Sequence, residues 1–364
     1  MYSLLKYLVL LSILVGIFIP IYYQSSDINH IKYRLIHHYL TYKHRFFPIT
    51  TDTRHVSTEY RAFEELLELY PLVSIDSRIT DPLEIVKSLR QSYQLSTYIP
   101  RSLSCSLEKQ QYTYGGRSVD TYWINRGAIS NNKNFILYLH GGGYVFGDID
   151  SHNGFECYVS EYFKLPLLHV EYRLGPEYRL PTAVDDTMTV YQSLLEEGKY
   201  TSENIVCMGD SAGGGLVLLT IQSLIKQHLP VPRGIILLSF WSDLTLNGES
   251  YEKNRHIDKM LPIDVLRFLV SQAVENQSDI INYSPAYHSF GQFPSMYLCA
   301  GTGEVLESDT RSVYKKAKEK NIDLTIELGQ YMMHIYPLFY LYAPESQQTL
   351  KNIREWVNIK FQGN

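Results

Sequence analysis

Cysteine is scarce in this 364-residue chain, with four copies. None of the four forms a C-x-x-C pair, so the thiolate clusters of structural zinc sites are not expected. Cys207 and Cys299 lie in apolar runs and read as small core residues. Cys105 and Cys157 could be bridged in an oxidising compartment. An excess of positive charge is also missing. Lys and Arg number 33 against 38 Asp and Glu, for a net charge of −5. No global basic field therefore draws the chain to nucleic acid. Internal repeats and low-complexity tracts are absent, which excludes solenoids and arrays. Charge is wholly lacking between Tyr7 and Tyr23.

That uncharged run of 17 residues is at the lower end of what spans a bilayer. It ends in Ile-Tyr-Tyr-Gln rather than a small-x-small cleavage site, and Tyr22 and Tyr23 suit a membrane interface. We read residues 1–25 as a single-pass N-terminal membrane anchor; a cleaved signal peptide, and hence secretion, is the alternative. Lys32, Arg34, Lys43 and Arg45 after the run favour a cytosolic body, whereas the triplets Asn276-Gln277-Ser278 and Asn282-Tyr283-Ser284 favour the lumen of the endoplasmic reticulum. The endoplasmic reticulum membrane is the expected location.

What is present is ample apolar material, 45% of residues against 20% charged, enough for a large core. Tyrosine is abundant, at 31 residues. Residues 27–56 show no clear hydrophobic period and read as a connector holding at most one short helix. Helices are expected at Glu59–Tyr70 and from Asp81-Pro82, where Asp caps and Pro starts well. Near Arg101 the pattern changes. A hairpin over 111–124 is followed by short apolar strands alternating with helices. The strands fall near 134–139, 165–172, 204–208, 234–240, 295–300 and 324–328, and a helix closes the chain. Such alternation implies a mostly parallel sheet covered on both faces, an α/β fold with its site at the C-terminal strand ends.

The motifs sit at those ends. Gly209-Asp210-Ser211-Ala212-Gly213 joins a strand to a helix and has the nucleophile-elbow pattern. A Ser there is lifted out of the turn at a helix N-terminus, where the dipole favours developing negative charge. A solvated Ser in a Gly-rich turn is the bland alternative. His140-Gly141-Gly142-Gly143 follows another apolar strand, and its uncovered backbone N–H groups suit an oxyanion hole completed by the N–H of Ala212. A serine nucleophile needs a base and an orienting acid in the order Ser, acid, His. His334, after the last strand, is the best base. Glu304 in Gly301-Thr302-Gly303-Glu304 is the expected acid, with Asp309 its rival and Glu307 a solvated helix-start residue.

These motifs, with Tyr172-Arg173-Leu174-Gly175-Pro176-Glu177 and Met333-His334, resemble the hormone-sensitive-lipase group of α/β-hydrolases over roughly residues 100–360. Together with the apolar N-terminus, the chain is similar to the arylacetamide deacetylase and steryl-acetate hydrolase types. The resemblance implies an α/β-hydrolase fold in which residues 26–100 hold a connector and cap helices, with a helical cap formed by residues 57–100 and an insertion at about 244–290 in a catalytic domain over 101–364. It implies a serine carboxylesterase, lipase or deacetylase with Ser211, Glu304 and His334 as triad and Gly141, Gly142 and Ala212 as oxyanion hole. No cofactor or metal is expected, and the partner is a short-acyl ester of an apolar alcohol. Many members carry Asp-Pro-Leu where this chain has Glu304-Val305-Leu306. A non-catalytic receptor on the same scaffold, and an amidase or deformylase, are the alternatives.

Overall fold

A computed structural model describes residues 25, 27–48, 52–73, 75, 78–127 and 133–362. Eight strands form one sheet in the order β1-β2-β4-β3-β5-β6-β7-β8. They are β1 (Leu107–Tyr114), β2 (Arg117–Ile124), β3 (Phe135–Leu139), β4 (Leu167–Val170), β5 (Ile205–Asp210), β6 (Gly234–Leu238), β7 (Ser295–Gly301) and β8 (Leu324–Gly329). The β1–β2 hairpin turns on Gly115-Gly116 and pairs antiparallel, as does β2 with β4. Every later pairing is parallel. The crossover helices include α5 (Ile149–Phe163), α6 (Thr182–Glu196), α7 (Ala212–Lys226) and α10 (Glu307–Lys318), and α11 (Pro344–Gln362) follows the last strand.

The central strands are apolar without alternation because both of their faces are covered. Leu137, Leu139, Cys207, Ile235, Leu237 and Leu298 belong to one core cluster. Their neighbours Ile136, Tyr138, Val206, Met208, Ile236 and Leu238 belong to the other. Cys105 and Cys157 are bridged, with Cα atoms 5.8 Å apart, tying the approach to β1 to α5.

Before the sheet come α1 (Ile28–Phe46), α2 (Thr58–Leu69), α3 (Pro82–Ser92) and the single turn α4 (Leu95–Tyr98). Asp81 caps α3 by accepting from the N–H groups of Leu83 and Glu84. The connector expected over 27–56 is mostly one helix of 19 residues, capped by Asp27. Its buried stripe is His30, Tyr33, His37, Leu40 and His44. The helical period is there, but three of its five members are histidines, which a hydrophobic count passes over. His30 Nδ1 reaches the carbonyl of Thr97, and His37 Nε2 that of Glu59, so each of these imidazoles packs in the core with one nitrogen on a backbone carbonyl.

The inserted segment between β6 and β7 contains α8 (Glu249–Lys253) and α9 (Ile263–Ala273). The expected membrane anchor over 1–25 falls almost entirely outside the described residues. Among the described residues no helix is long and apolar enough to cross a membrane. The membrane location read from the sequence is accordingly corrected: nothing in the described fold carries it.

Candidate active site

Parallel pairing aligns the strand ends in one row. Leu139 pairs with Gly209, Asp210 with Leu238, Leu238 with Cys299 and Gly301 with Gly329. The loops beginning at His140, Ser211, Ser239, Thr302 and Gln330 therefore open on the same edge, and the motifs scattered through the sequence converge.

Ser211 turns the chain from β5 into α7 with φ 51° and ψ −123°, a strained conformation for a residue with a side chain. Two backbone bonds hold it: Ser211 N donates to Leu238 O at 2.9 Å, and Trp241 N donates to Ser211 O at 2.9 Å. A Cβ on Gly213 would overlap the carbonyl oxygen of Leu139, so only glycine fits there. Ser211 Oγ lies 3.0 Å from His334 Nε2. His334 is buried, and burial alone pulls its pKa down to about 3. The neutral imidazole is thereby favoured, with a lone pair free to accept the Ser211 hydroxyl proton.

The glycine loop differs in one respect from the expectation. Gly141 N donates to Asp210 Oδ1 at 2.9 Å, so this N–H is not offered to a substrate oxygen. Gly142 and Gly143 instead line the cavity at Ser211. Gly142 has φ 118°, open to glycine alone. Ala212 opens α7, and its N–H is among those without an intrahelical acceptor. Asp210, which the motif left without a physical role, is thus the anchor of the loop. Its Oδ1 also accepts from Tyr138 Oη at 2.7 Å, and burial pushes its pKa up to about 6. His140 is no base. It stacks on Tyr172 with centroids 4.2 Å apart, and its carbonyl accepts from the Tyr172 hydroxyl at 2.7 Å.

The three acids separate cleanly. Asp309 accepts from Ser242 N, Asp243 N and Tyr251 Oη, and is spent on the turn after β6. Glu307 pairs with Arg311. Glu304 is fully buried, and Oε2 accepts from Ser239 Oγ at 2.6 Å and Gly301 N at 2.9 Å. Ser239 Oγ in turn accepts from Ile335 N at 2.9 Å, which links Glu304 to the residue after His334. Glu304 Oε1 and His334 Nδ1 are both buried without a hydrogen-bond partner. Glu304 and His334 are not hydrogen-bonded to one another in this structure. Burial raises Glu304 well above the usual carboxylate range. Ser239, Asn254 and Asp258, which support this side, belong to no motif, and sequence reasoning missed them.

Among the described residues, His140, His169 and Glu171 form the one group with a metal-site pattern, with ligand atoms within 4.8 Å of one another. His169 Nδ1 lies 2.7 Å from Glu156 Oε1, and Nε2 lies 3.3 Å from Glu171 Oε2. Burial opposes the charge, but the two carboxylates outweigh it and raise His169 to about 10. Both ring nitrogens are then protonated, and the cluster is a buried ion pair with no lone pair left on His169 for an ion.

Comparison with known proteins agrees with this geometry. Residues 136–338 match the family model described as alpha/beta hydrolase fold. The chain is 29% identical over 231 residues to a protein of Acinetobacter venetianus named esterase, covering 63% of this chain and 76% of that one. It is 28% identical over 217 residues to an acetyl-hydrolase of Streptomyces hygroscopicus, covering 59% and 72%. A crystal structure of an esterase/lipase from an uncultured bacterium superposes with TM-score 0.73 at 26% identity, covering 84% of this chain and 99% of that one. By its sheet, its ordered strand-end motifs and these matches, the chain belongs to the α/β-hydrolase family.

Proposed function

We propose that the chain is a serine carboxylic-ester hydrolase that cleaves short-acyl esters of apolar alcohols through an acyl-enzyme. The observation that carries this reading is the 3.0 Å approach of Ser211 Oγ to His334 Nε2. It lies at a cavity walled by Leu72, Trp241, Met260, Leu261 and Leu269. Ser211 attacks the ester carbonyl while His334 takes its proton, with Glu304 as the acid that supports the imidazolium. Gly142 and Ala212, with Gly143 beside them, offer N–H groups to the tetrahedral oxyanion. His334 returns the proton to the leaving alcohol, and water then releases the acyl group by the same steps.

The cavity measures about 30 Å³, room for little more than an acetyl group. That favours small acyl chains, as does the name of the acetyl-hydrolase relative. Ser211→Ala should lose p-nitrophenyl acetate hydrolysis and fluorophosphonate labelling while staying folded. Retained turnover in that variant would sink the reading. Turnover of an acetanilide but no ester would move it to an amidase.

A further inference from the structure

The turn that carries Glu304 is held from outside the sheet. Asn254 and Asp258 follow α8 in the inserted segment, one helical turn apart, and both are buried. Asn254 Nδ2 donates to the carbonyls of Thr302 at 3.1 Å and Glu304 at 2.7 Å. Asp258 Oδ2 accepts from Val305 N at 3.0 Å. Three hydrogen bonds thus grip the backbone between Thr302 and Val305. Asp258 N donates to Asn254 O at 2.9 Å, which makes the pair one unit. The other oxygen, Asp258 Oδ1, accepts from Met260 N at 2.9 Å and Leu261 N at 3.3 Å. Met260 and Leu261 are walls of the cavity at Ser211.

We propose that Asn254 and Asp258 are positioning residues: a clamp by which the inserted segment sets Glu304 against His334 and couples that setting to the cavity wall. The proposal rests on Glu304 being the acid of the triad. Its physical basis is the open bond between the two side chains. Glu304 Oε2 is already committed to Ser239 and Gly301, and Oε1 awaits a partner. A buried carboxylate helps a histidine only when its lone pair is aimed, and a misplacement of about 1 Å in a site of this kind costs about a hundredfold. The backbone that aims Glu304 is the backbone the clamp holds. A substrate group pressing on Met260 or Leu261 is felt at Val305 through a single carboxylate. Burial pushes Asp258 up to about 6, against the backbone N–H groups of Met260, Val305, Leu261 and His334, which draw it down.

The test compares Asp258→Asn, Asn254→Ala and the double variant in the full chain on p-nitrophenyl acetate. Rates are counted per fluorophosphonate-reactive site, so that unfolded protein does not enter. Each single variant should lower kcat about ten- to a hundredfold with KM held within about twofold. The double variant should lose no more than about threefold beyond the worse single, because the two act as one unit. The apparent pKa of His334 in the kcat/KM profile should fall by about half a unit, since a badly aimed carboxylate stabilises imidazolium less. Unchanged kcat per reactive site, additive losses or an unmoved pH profile would each overturn the clamp. Ser211→Ala separates the two levels: if it is dead while the clamp variants keep full kcat, the serine reading stands and the clamp falls.

Discussion

Two buried aspartates lie near the Ser211–His334 pair, and both hold backbone N–H groups, from different places. Asp210 sits beside Ser211 at the end of β5 and accepts from Gly141 N and Tyr138 Oη, all within the sheet and its own loops. Asp258 lies in the inserted segment and accepts from Val305 N on one side and Met260 N and Leu261 N on the other. Burial pushes both carboxyls up to about 6. The glycine loop is therefore anchored by the sheet itself, whereas the turn that carries Glu304 is also held by a separate piece of chain. The difference matches what each side shows. Ser211 and His334 are in contact, while Glu304 Oε1 and His334 Nδ1 each lack a partner. The Ser211–His334 contact is made and the Glu304–His334 contact is not, while Asp210 Oδ2 is also buried without a partner.

Variants can break this comparison or sharpen it. The largest effect belongs to neither aspartate: Ser211→Ala should cut kcat by at least about a thousandfold, because both halves converge on that oxygen. Next is the shared pH signature. A carboxyl whose folded pKa is about 6, against about 3.9 unfolded, holds its proton in the native state between those values. Each aspartate therefore costs stability as pH rises from about 4 to 6. Relative to wild type, Asp210→Asn and Asp258→Asn should each gain up to about 3 kcal/mol over that window, read by urea denaturation at both pH values. A flat difference would deny the shared signature. A smaller effect should tell the two apart. Asp210→Ala frees Gly141 and should lower kcat about tenfold to a hundredfold while leaving the kinetic pKa of His334 in place. A moved profile in that variant would erase the distinction. The smallest effect is on acyl length, where octanoyl esters should be about tenfold poorer than acetyl esters in kcat/KM. Equal rates would show that the wall held by Asp258 is not a limit.

Legibility in the sequence follows the same division. The elbow, the glycine loop and the final histidine each follow a short apolar strand. Strand-end placement follows from the α/β pattern, so the meeting of Ser211, the glycine triplet and His334 at one edge could be read without coordinates. Asp210 could be named but not explained, because its partners Gly141 and Tyr138 lie 69 and 72 residues away. The bond from Gly141 N to Asp210 was hidden for the same reason. Ser239, Asn254 and Asp258 had no signal, since their contacts with the Glu304 turn and with Ile335 cross 47 to 96 residues of chain. Helix α1 was missed for a different cause: its inward face is largely histidine, and apolar periodicity does not count histidine.

The most direct test of the central claim is to trap the acyl-enzyme. The chain would be mixed with p-nitrophenyl acetate, quenched in acid within the first turnover, digested and weighed by mass spectrometry. One acetyl group per chain on the peptide holding Ser211, absent in Ser211→Ala and after slow turnover, is the predicted result. Steady release of p-nitrophenol with acetate on another residue, or on none, would contradict it.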